Sequence, residues 1–524
     1  MGRDHILSAP WVLAFLMGLA GCGVEPRSRT VVVVVFDALH AGHVHHLGYE
    51  RETTPNLDLL AQEGVTFLRA LAPAPYTVAS TASLMTGLVP QRHRVLRSFG
   101  SHLKPLGVTL AETLHDAGWQ CFGATGNANA GKLTGITGGF DQWVEAYEGK
   151  GPGDAPFLPR GDGTFVHMVA PDWWVGHLKD ILEQRDPKRD AFIYLHVLQP
   201  HSPYAPPERL LARFADPDYI SSWSDEKEPT GFRAGSTSPL VRANKGQIPM
   251  NDADREYTRA LYDASLLWGD EALGNMISLL RDKGLWDSSW LVVTSDHGEA
   301  FWQHGLWGHN DHLYEEMLHV PLVVRAPGDT LPKGTRVTGL VSPMDLFPSF
   351  MQWLDLPQVP DLDGQPLDPV IRGSAAKNRS MVLQSNGNRP DVGRTGEATK
   401  LIVGRGEGQG ELRVQRYDLT QDPGEQSPLE GQPDEQVLAR LVALMGSLEG
   451  YIAKEFERAE HKRVLRAHLE LQLASELALD QAMQALGLKI PVGHAQRELR
   501  AAAGDLADVS ALLEALGYGG DTEE

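Results

Sequence analysis

The run TVVVVVF, Thr30 to Phe36, contains five consecutive valines and no alternation of apolar with polar positions. An uninterrupted β-branched run of that length predicts a strand buried on both faces. DAFIYLHV (Asp190–Val197) and SSWLVVTS (Ser288–Ser295) repeat the pattern. Between them lie stretches with helical periodicity. TTPNLDLLAQEG places Thr54 as N-cap, Pro55 at the first helical position and Gly64 as the stop. LAETLHDAG predicts a short amphipathic helix leading into WQCFGA, and a long helix is expected over Asp252–Lys283. Strands alternating with helices predict an α/β fold with a large, mostly parallel central sheet sandwiched by helices.

In such sheets ligand chemistry gathers beyond the carboxyl ends of the strands. Asp37 directly follows the first valine run, His201 follows the second in QPHSPY, and Asp296 and His297 follow LVVTS. Three strand ends thus deliver metal-type ligands or a proton carrier to one edge. The carboxylate-rich set suits one divalent cation, Ca²⁺, Mn²⁺ or Mg²⁺, with Zn²⁺ admissible through His297. APYTVASTASLMTG (Ala74–Gly87) runs from a Pro-containing turn into a helix and carries five aliphatic hydroxyls. Thr77 stands at the mouth of that helix, where negative charge is favoured. In ALHAGHVHHLGY, His40 is within chain reach of Asp37, whereas His43, His45 and His46 are expected to be solvated loop residues.

Composition narrows the partners. A 524-residue chain of net charge −21 repels a phosphate backbone, so nucleic acid is excluded as the expected partner, while a small anionic ester, glycan or lipid is not. The N-terminal ILSAPWVLAFLMGLA is too short to span a bilayer comfortably and ends in LAGC. This resembles a bacterial lipoprotein signal: residues 1–21 removed, Cys22 lipidated, residues 22–30 a tether. The expected location is the bacterial cell envelope, exported and held to the membrane by an N-terminal lipid anchor. Cys121, the only other cysteine, reads as a core residue. After Leu429 the chain turns rich in Ala, Leu, Glu and Arg with helical periodicity, predicting a helical tail over 433–524 packed on the body.

VVFDALHAGHVHHLGYERETTPNLDLLAQEGVTF, YTVASTASLMTGLVPQRHRV, YLHVLQPHSPYAPP and LVVTSDHGEAFWQHGLWGHNDHLYEEMLHVPLVVRAPG resemble, in order, the signature blocks of the sulfatase family of the alkaline-phosphatase superfamily. GLVSPMDLFPSFMQWLDLP, LDGQPL and YDLTQDPGEQSPL are similar to its closing blocks. The resemblance spans Thr30–Leu429. It implies a catalytic domain over 31–372 and a small C-terminal β subdomain over 373–432.

The resemblance also implies roles. Asp37, Asp296 and His297 fall on the family's metal ligands, and Thr77 on the nucleophile, itself a ligand. His201 falls on the histidine that protonates the leaving group. His309 replaces a lysine that touches the substrate anion, Asn127 is a candidate oxyanion contact, and Lys132 is a weaker candidate for the missing positive charge. Trp302 and Trp307 are candidate pocket walls. Three departures matter. Asp37 is followed by Ala38 rather than a second aspartate, Thr81 stands where an arginine is usual, and Thr77 stands where Cys or Ser is oxidised to formylglycine. Threonine cannot become that aldehyde because its β-carbon carries a methyl group, so it must attack as an alkoxide. A threonine ester then needs water to attack the transferred group, which phosphoryl centres tolerate well. The expected activity is hydrolysis of a phosphate or phosphonate ester, or a sulfate ester, through Thr77. Two alternatives stay open: a sulfuric ester hydrolase of arylsulfatase type, and an inactive surface lipoprotein of this fold that binds anionic glycans or lipids.

Overall fold

The computed structural model describes residues 28–96, 108–146, 157–159, 165–167, 169–219, 239–373, 379–386, 390–406, 408 and 410–454. The expected signal segment, Cys22 and the tail beyond residue 454 lie outside these residues. The valine run forms β1 (Thr30–Asp37), buried along its whole length. It is the centre of an eight-stranded sheet. The others are β2 (Val65–Leu71), β3 (Gln120–Thr125), β4 (Gln142–Glu145), β5 (Ala191–Pro200), β6 (Ser289–Ser295), β7 (His319–Arg325) and β8 (Thr335–Val337). Their order is β8-β2-β7-β6-β1-β5-β3-β4. β1 pairs in parallel with β5 and β6 on either side, and β7 alone runs antiparallel, to β2 and β6.

The two faces of β1 are divided as the pleat requires. Val31, Val33 and Val35 pack in one cluster with Val78, Ala79 and Ala82 of helix α1 (Thr77–Thr86). Val32, Val34 and Phe36 pack on the other side with Leu266, Leu273 and Met276 of helix α2 (Asp252–Asp282). Each fully buried valine contributes about 1.5–3 kcal/mol of transfer free energy, which explains a run without a solvated face. Both α2 and the helix Leu110–Asp116 begin with capping boxes, Asn251 with Asp254 and Thr109 with Glu112.

Small departures from the sequence expectation have local causes. The helix after Pro55 spans Pro55–Glu63, but the Thr54 hydroxyl donates to the Asp58 carboxylate at 3.0 Å and accepts the His45 N–H at 3.1 Å instead of capping its own helix. Gly64 follows as its extended C-cap, a position that only glycine fits, since a β-carbon there would sit 2.6 Å from Val324 O. The histidines expected in solvent are held by carboxylates: His43 is buried with Nδ1 2.7 Å from Asp263, and His45 and His46 both bond Asp58.

A second sheet, β9 (Met381–Gln384), β10 (Val392–Thr395), β11 (Thr399–Arg405) and β12 (Leu412–Asp418), is wholly antiparallel. Helical residues 435–454 lie on it, with Leu441, Met445, Leu448 and Ile452 packed against Val392, Leu401 and Val403. Among the described residues, no helix is long and apolar enough to cross a membrane.

Candidate active site

The five hydroxyls of α1 and its mouth separate by what they bond. Ser80 Oγ donates to Ala74 O (2.6 Å), Thr81 Oγ1 to Thr77 O (2.6 Å) and Thr86 Oγ1 to Ala82 O (2.7 Å). Ser83 Oγ meets His93 Nε2 at 3.0 Å. Thr77, the first helical residue, instead turns its Oγ1 to His297 Nε2 at 3.2 Å and to Asn127 Nδ2 at 3.5 Å. It is buried, and the helix N-terminus favours negative charge on it.

Asp37 ends β1, and Asp296 and His297 follow β6, the strand paired beside it. Ligand atoms of these three lie within 4.8 Å of one another, the only such group of His, Cys, Asp or Glu among the described residues. Asp296 Oδ1 accepts the N–H groups of Ala38 (3.1 Å) and His297 (2.9 Å). Ala38 holds a φ of +59°, unusual for a residue with a β-carbon, and this brings its N–H onto that carboxylate. Asp37 Oδ2 accepts from Asn127 Nδ2 at 2.7 Å. The other two carboxylate oxygens, Asp37 Oδ1 and Asp296 Oδ2, are buried without a hydrogen-bond partner. His297 donates Nδ1–H to Gly298 O at 2.8 Å, which leaves the Nε2 lone pair facing the carboxylates. Two orphaned anionic oxygens and one imidazole lone pair fit a divalent cation, whose charge offsets an otherwise costly pair.

Electrostatics agree with that fit. Burial, then Asp296, holds the Asp37 carboxyl well above the usual range. Burial also acts to raise Asp296, but His297, His196 and the backbone amides outweigh it and hold Asp296 low. Burial pushes His297 down to about 4 and His309 to about 3, so both rings are neutral at pH 7.

His201 and His309 face each other with ring centroids 5.1 Å apart, and His309 is 4.4 Å from the His297 ring. Burial lowers His201 as well. The structure therefore assembles Thr77, Asp37, Asp296, His297, His201, His309 and Asn127. Asn127 reaches the site as a partner of Asp37 and Thr77. Lys132, whose side chain is 52% exposed, has its Nζ 3.8 Å from the Glu145 carboxylate. Thr81, in place of the family's arginine, is buried and bonded to its own helix, bringing no charge.

Two participants escaped the sequence reading. His196, inside β5, stands between the carboxylates, with Nε2 3.4 Å from Asp296 and Nδ1 3.9 Å from Asp37. Its signal was a lone imidazole within the apolar FIYLHVL. Glu299 bonds His309 Nδ1 at 2.9 Å and accepts from Tyr204 OH at 3.2 Å, which in turn accepts from Trp307 Nε1 at 3.1 Å. Trp307 thus supports Glu299 through Tyr204. Burial pushes Glu299 up to about 7.

The parallel sheet, the carboxylate–imidazole cluster at its edge and the hydroxyl at a helix mouth are the features of an ester hydrolase of the alkaline-phosphatase superfamily. The Sulfatase family model matches residues 29–356, and the chain belongs to that family of ester hydrolases. It is 23% identical to an arylsulfatase of Clostridium perfringens over 383 residues, 65% of this chain and 78% of that one. It is 24% identical to the multifunctional alkaline phosphatase superfamily protein PehA of Trinickia caryophylli over 414 residues, 66% of this chain and 77% of the other. Among solved structures it resembles the phosphonate monoester hydrolase of Agrobacterium radiobacter, with TM-score 0.60, 20% identity, and 82% and 96% of the two chains covered.

Proposed function

We propose that the protein hydrolyses a phosphonate or phosphate ester, or a sulfate ester, with Thr77 Oγ1 as nucleophile. The observation that carries this is the Thr77 hydroxyl at a helix mouth, 3.2 Å from His297 Nε2 and beside two buried carboxylates with an orphaned oxygen each. Asp37, Asp296 and His297 would hold a divalent cation, Ca²⁺, Mn²⁺, Mg²⁺ or Zn²⁺, with Thr77 as a further ligand. When bound, that cation supplies Lewis-acid activation of the hydroxyl and charge offset for the transferred group.

The chain's own residues supply the rest. Thr77 Oγ1 forms a bond to phosphorus or sulfur while the bond to the leaving-group oxygen breaks. His201 and His309 border the same space, where one of these rings, once protonated, is placed to give that oxygen its proton. Asn127 orients both Asp37 and the nucleophile. Water then attacks the threonine ester at phosphorus or sulfur, which releases the transferred phosphonate, phosphate or sulfate group and restores the hydroxyl. That second displacement at the transferred centre favours phosphorus over sulfur. A phosphonate monoester hydrolase and a multifunctional alkaline phosphatase relative among the similar proteins support this preference, while the arylsulfatases support the sulfate alternative. The substrate is a small anionic ester of a glycan or lipid, met at the cell envelope, where Cys22 would anchor the chain.

The test is turnover by the fragment beginning at Gly23. Aryl sulfate, phosphomonoester, phosphodiester and phosphonate monoester are assayed with each of the four cations, beside Thr77→Ala and Asp296→Ala. Phosphonate or phosphodiester turnover lost in both variants is the expected result. Thr77-dependent sulfate turnover alone reverses the substrate preference. No turnover with cation bound overturns the hydrolase reading in favour of a binding protein.

A further inference from the structure

Asn310 follows His309 with a backbone φ of +94°, a conformation that residues with a β-carbon seldom adopt. Such a backbone persists only where its surroundings over-determine it. Here both adjoining peptide groups are held. The Asn310 N–H donates to Pro75 O at 3.0 Å, two residues before Thr77, and the Asn310 carbonyl accepts the N–H of Asn386 at 2.9 Å. Asn386 lies just beyond β9, and Gln384 at the end of β9 donates its own N–H to Pro73 O at 3.2 Å. One end of the small sheet is therefore bonded directly to the loop before the nucleophile and, through Asn310, to the segment bearing His309.

A second tie lies a few residues further on. Lys400 of β11 is fully buried, and its Nζ donates to Leu313 O at 3.0 Å and pairs with Glu315 at 2.8 Å and Glu425 at 2.7 Å. Glu425 Oε2 accepts the Glu315 N–H at 2.8 Å, and its carbonyl meets His304 Nε2 at 3.0 Å. The segment 304–315, with His309 near its middle, is thus held at its end by Lys400 of the C-terminal sheet and at its start by Glu425, beyond β12, which itself pairs with Lys400.

We infer that Asn310 is a positioning residue. Its strained backbone, held from the C-terminal sheet through Asn386, sets His309 against the mouth of α1, so that the small sheet aligns that imidazole with the nucleophile. This rests on the hydrolase reading above. The role belongs to the backbone, not to the Asn310 amide, and that distinction makes it testable.

The experiment compares Asn310→Gly, which adopts positive φ freely, with Asn310→Val, which does not. Turnover of the best aryl ester is measured with KM and kcat separated, and corrected for folded fraction. Hydrogen exchange of the amides over 73–80 is followed in the same proteins and in Lys400→Met. Asn310→Val is expected to lower kcat about a hundredfold at nearly constant KM and to speed exchange over 73–80. Asn310→Gly restores turnover close to wild type. Lys400→Met speeds the same exchange. A glycine variant as poor as the valine variant assigns the role to the side chain and overturns the inference. So does a valine variant with unchanged kcat per folded molecule. If the wild type turns over none of the esters, the hydrolase reading falls and exchange decides alone: faster exchange in Asn310→Val supports the coupling, and unchanged exchange overturns it.

Discussion

Thr77 Oγ1 stands 3.2 Å from His297 Nε2, across 220 residues of chain. Because His297 Nδ1–H is committed to Gly298 O, that contact is made by the lone pair of Nε2. The Thr77 hydroxyl is therefore a donor in the absence of cation, and the same lone pair is available to a cation that would take the proton's place.

The first prediction concerns this hydroxyl. Thr77→Ala should lose turnover by about 10³-fold or more, while Thr77→Ser retains much of it. Cation binding, measured by calorimetry with Mn²⁺, should survive in both, since Asp37, Asp296 and His297 remain. Turnover that persists in Thr77→Ala would move the nucleophile elsewhere.

Asn127 supplies a second prediction. Its amide holds Asp37 Oδ2 at 2.7 Å, so Asn127→Ala frees a ligand carboxylate to rotate. Loss of such a partner costs about 10- to 100-fold in metal affinity. Unchanged Mn²⁺ affinity would show that Asp37 is held without it.

The third prediction is about the seam between the sheets. Lys400→Met leaves the Glu315 and Glu425 carboxylates buried without their cation. Breaking such a buried ionic group by removing one partner costs about 3–5 kcal/mol, read as a lower urea midpoint. A change within error would mean that water replaces the ammonium.

A pH dependence follows from His93. Burial lowers its pKa from 6.5 to about 3, and its Nδ1 accepts the Val95 N–H while Nε2 meets Ser83. The folded ring stays neutral where the unfolded one protonates. Its contribution is therefore complete above pH 6.5 and declines as pH falls towards 3. Between pH 6.5 and 5 the loss for this one group is about 2 kcal/mol. Urea midpoints across that interval should fall more steeply in the wild type than in His93→Gln. Parallel slopes would place the acid sensitivity in other buried histidines such as His177, which burial lowers to about 4.

The layered α/β sheet and most of its edge were legible in the chain because they depend on short-range pattern. A valine run with no polar face can only be a strand covered on both sides, and the residues that end β1 and β6 must lie together once those strands pair. Asp37, Asp296, His297 and the helix mouth at Thr77 could be read in this way. His45 and His46 could not, since their carboxylate, Asp58, comes from a helix turn whose packing no periodicity specifies.

What only the tertiary structure decided is orientation. Which of five hydroxyls meets His297, that His196 enters between the two carboxylates, that Glu299 holds His309, and that Lys132 lies beside Glu145 are all relations that sequence pattern does not specify. Hydrophobic pattern determines which face of an element is buried, because transfer free energy depends on area alone. Hydrogen bonds and charges depend on distance and direction, and these exist only after the faces have packed.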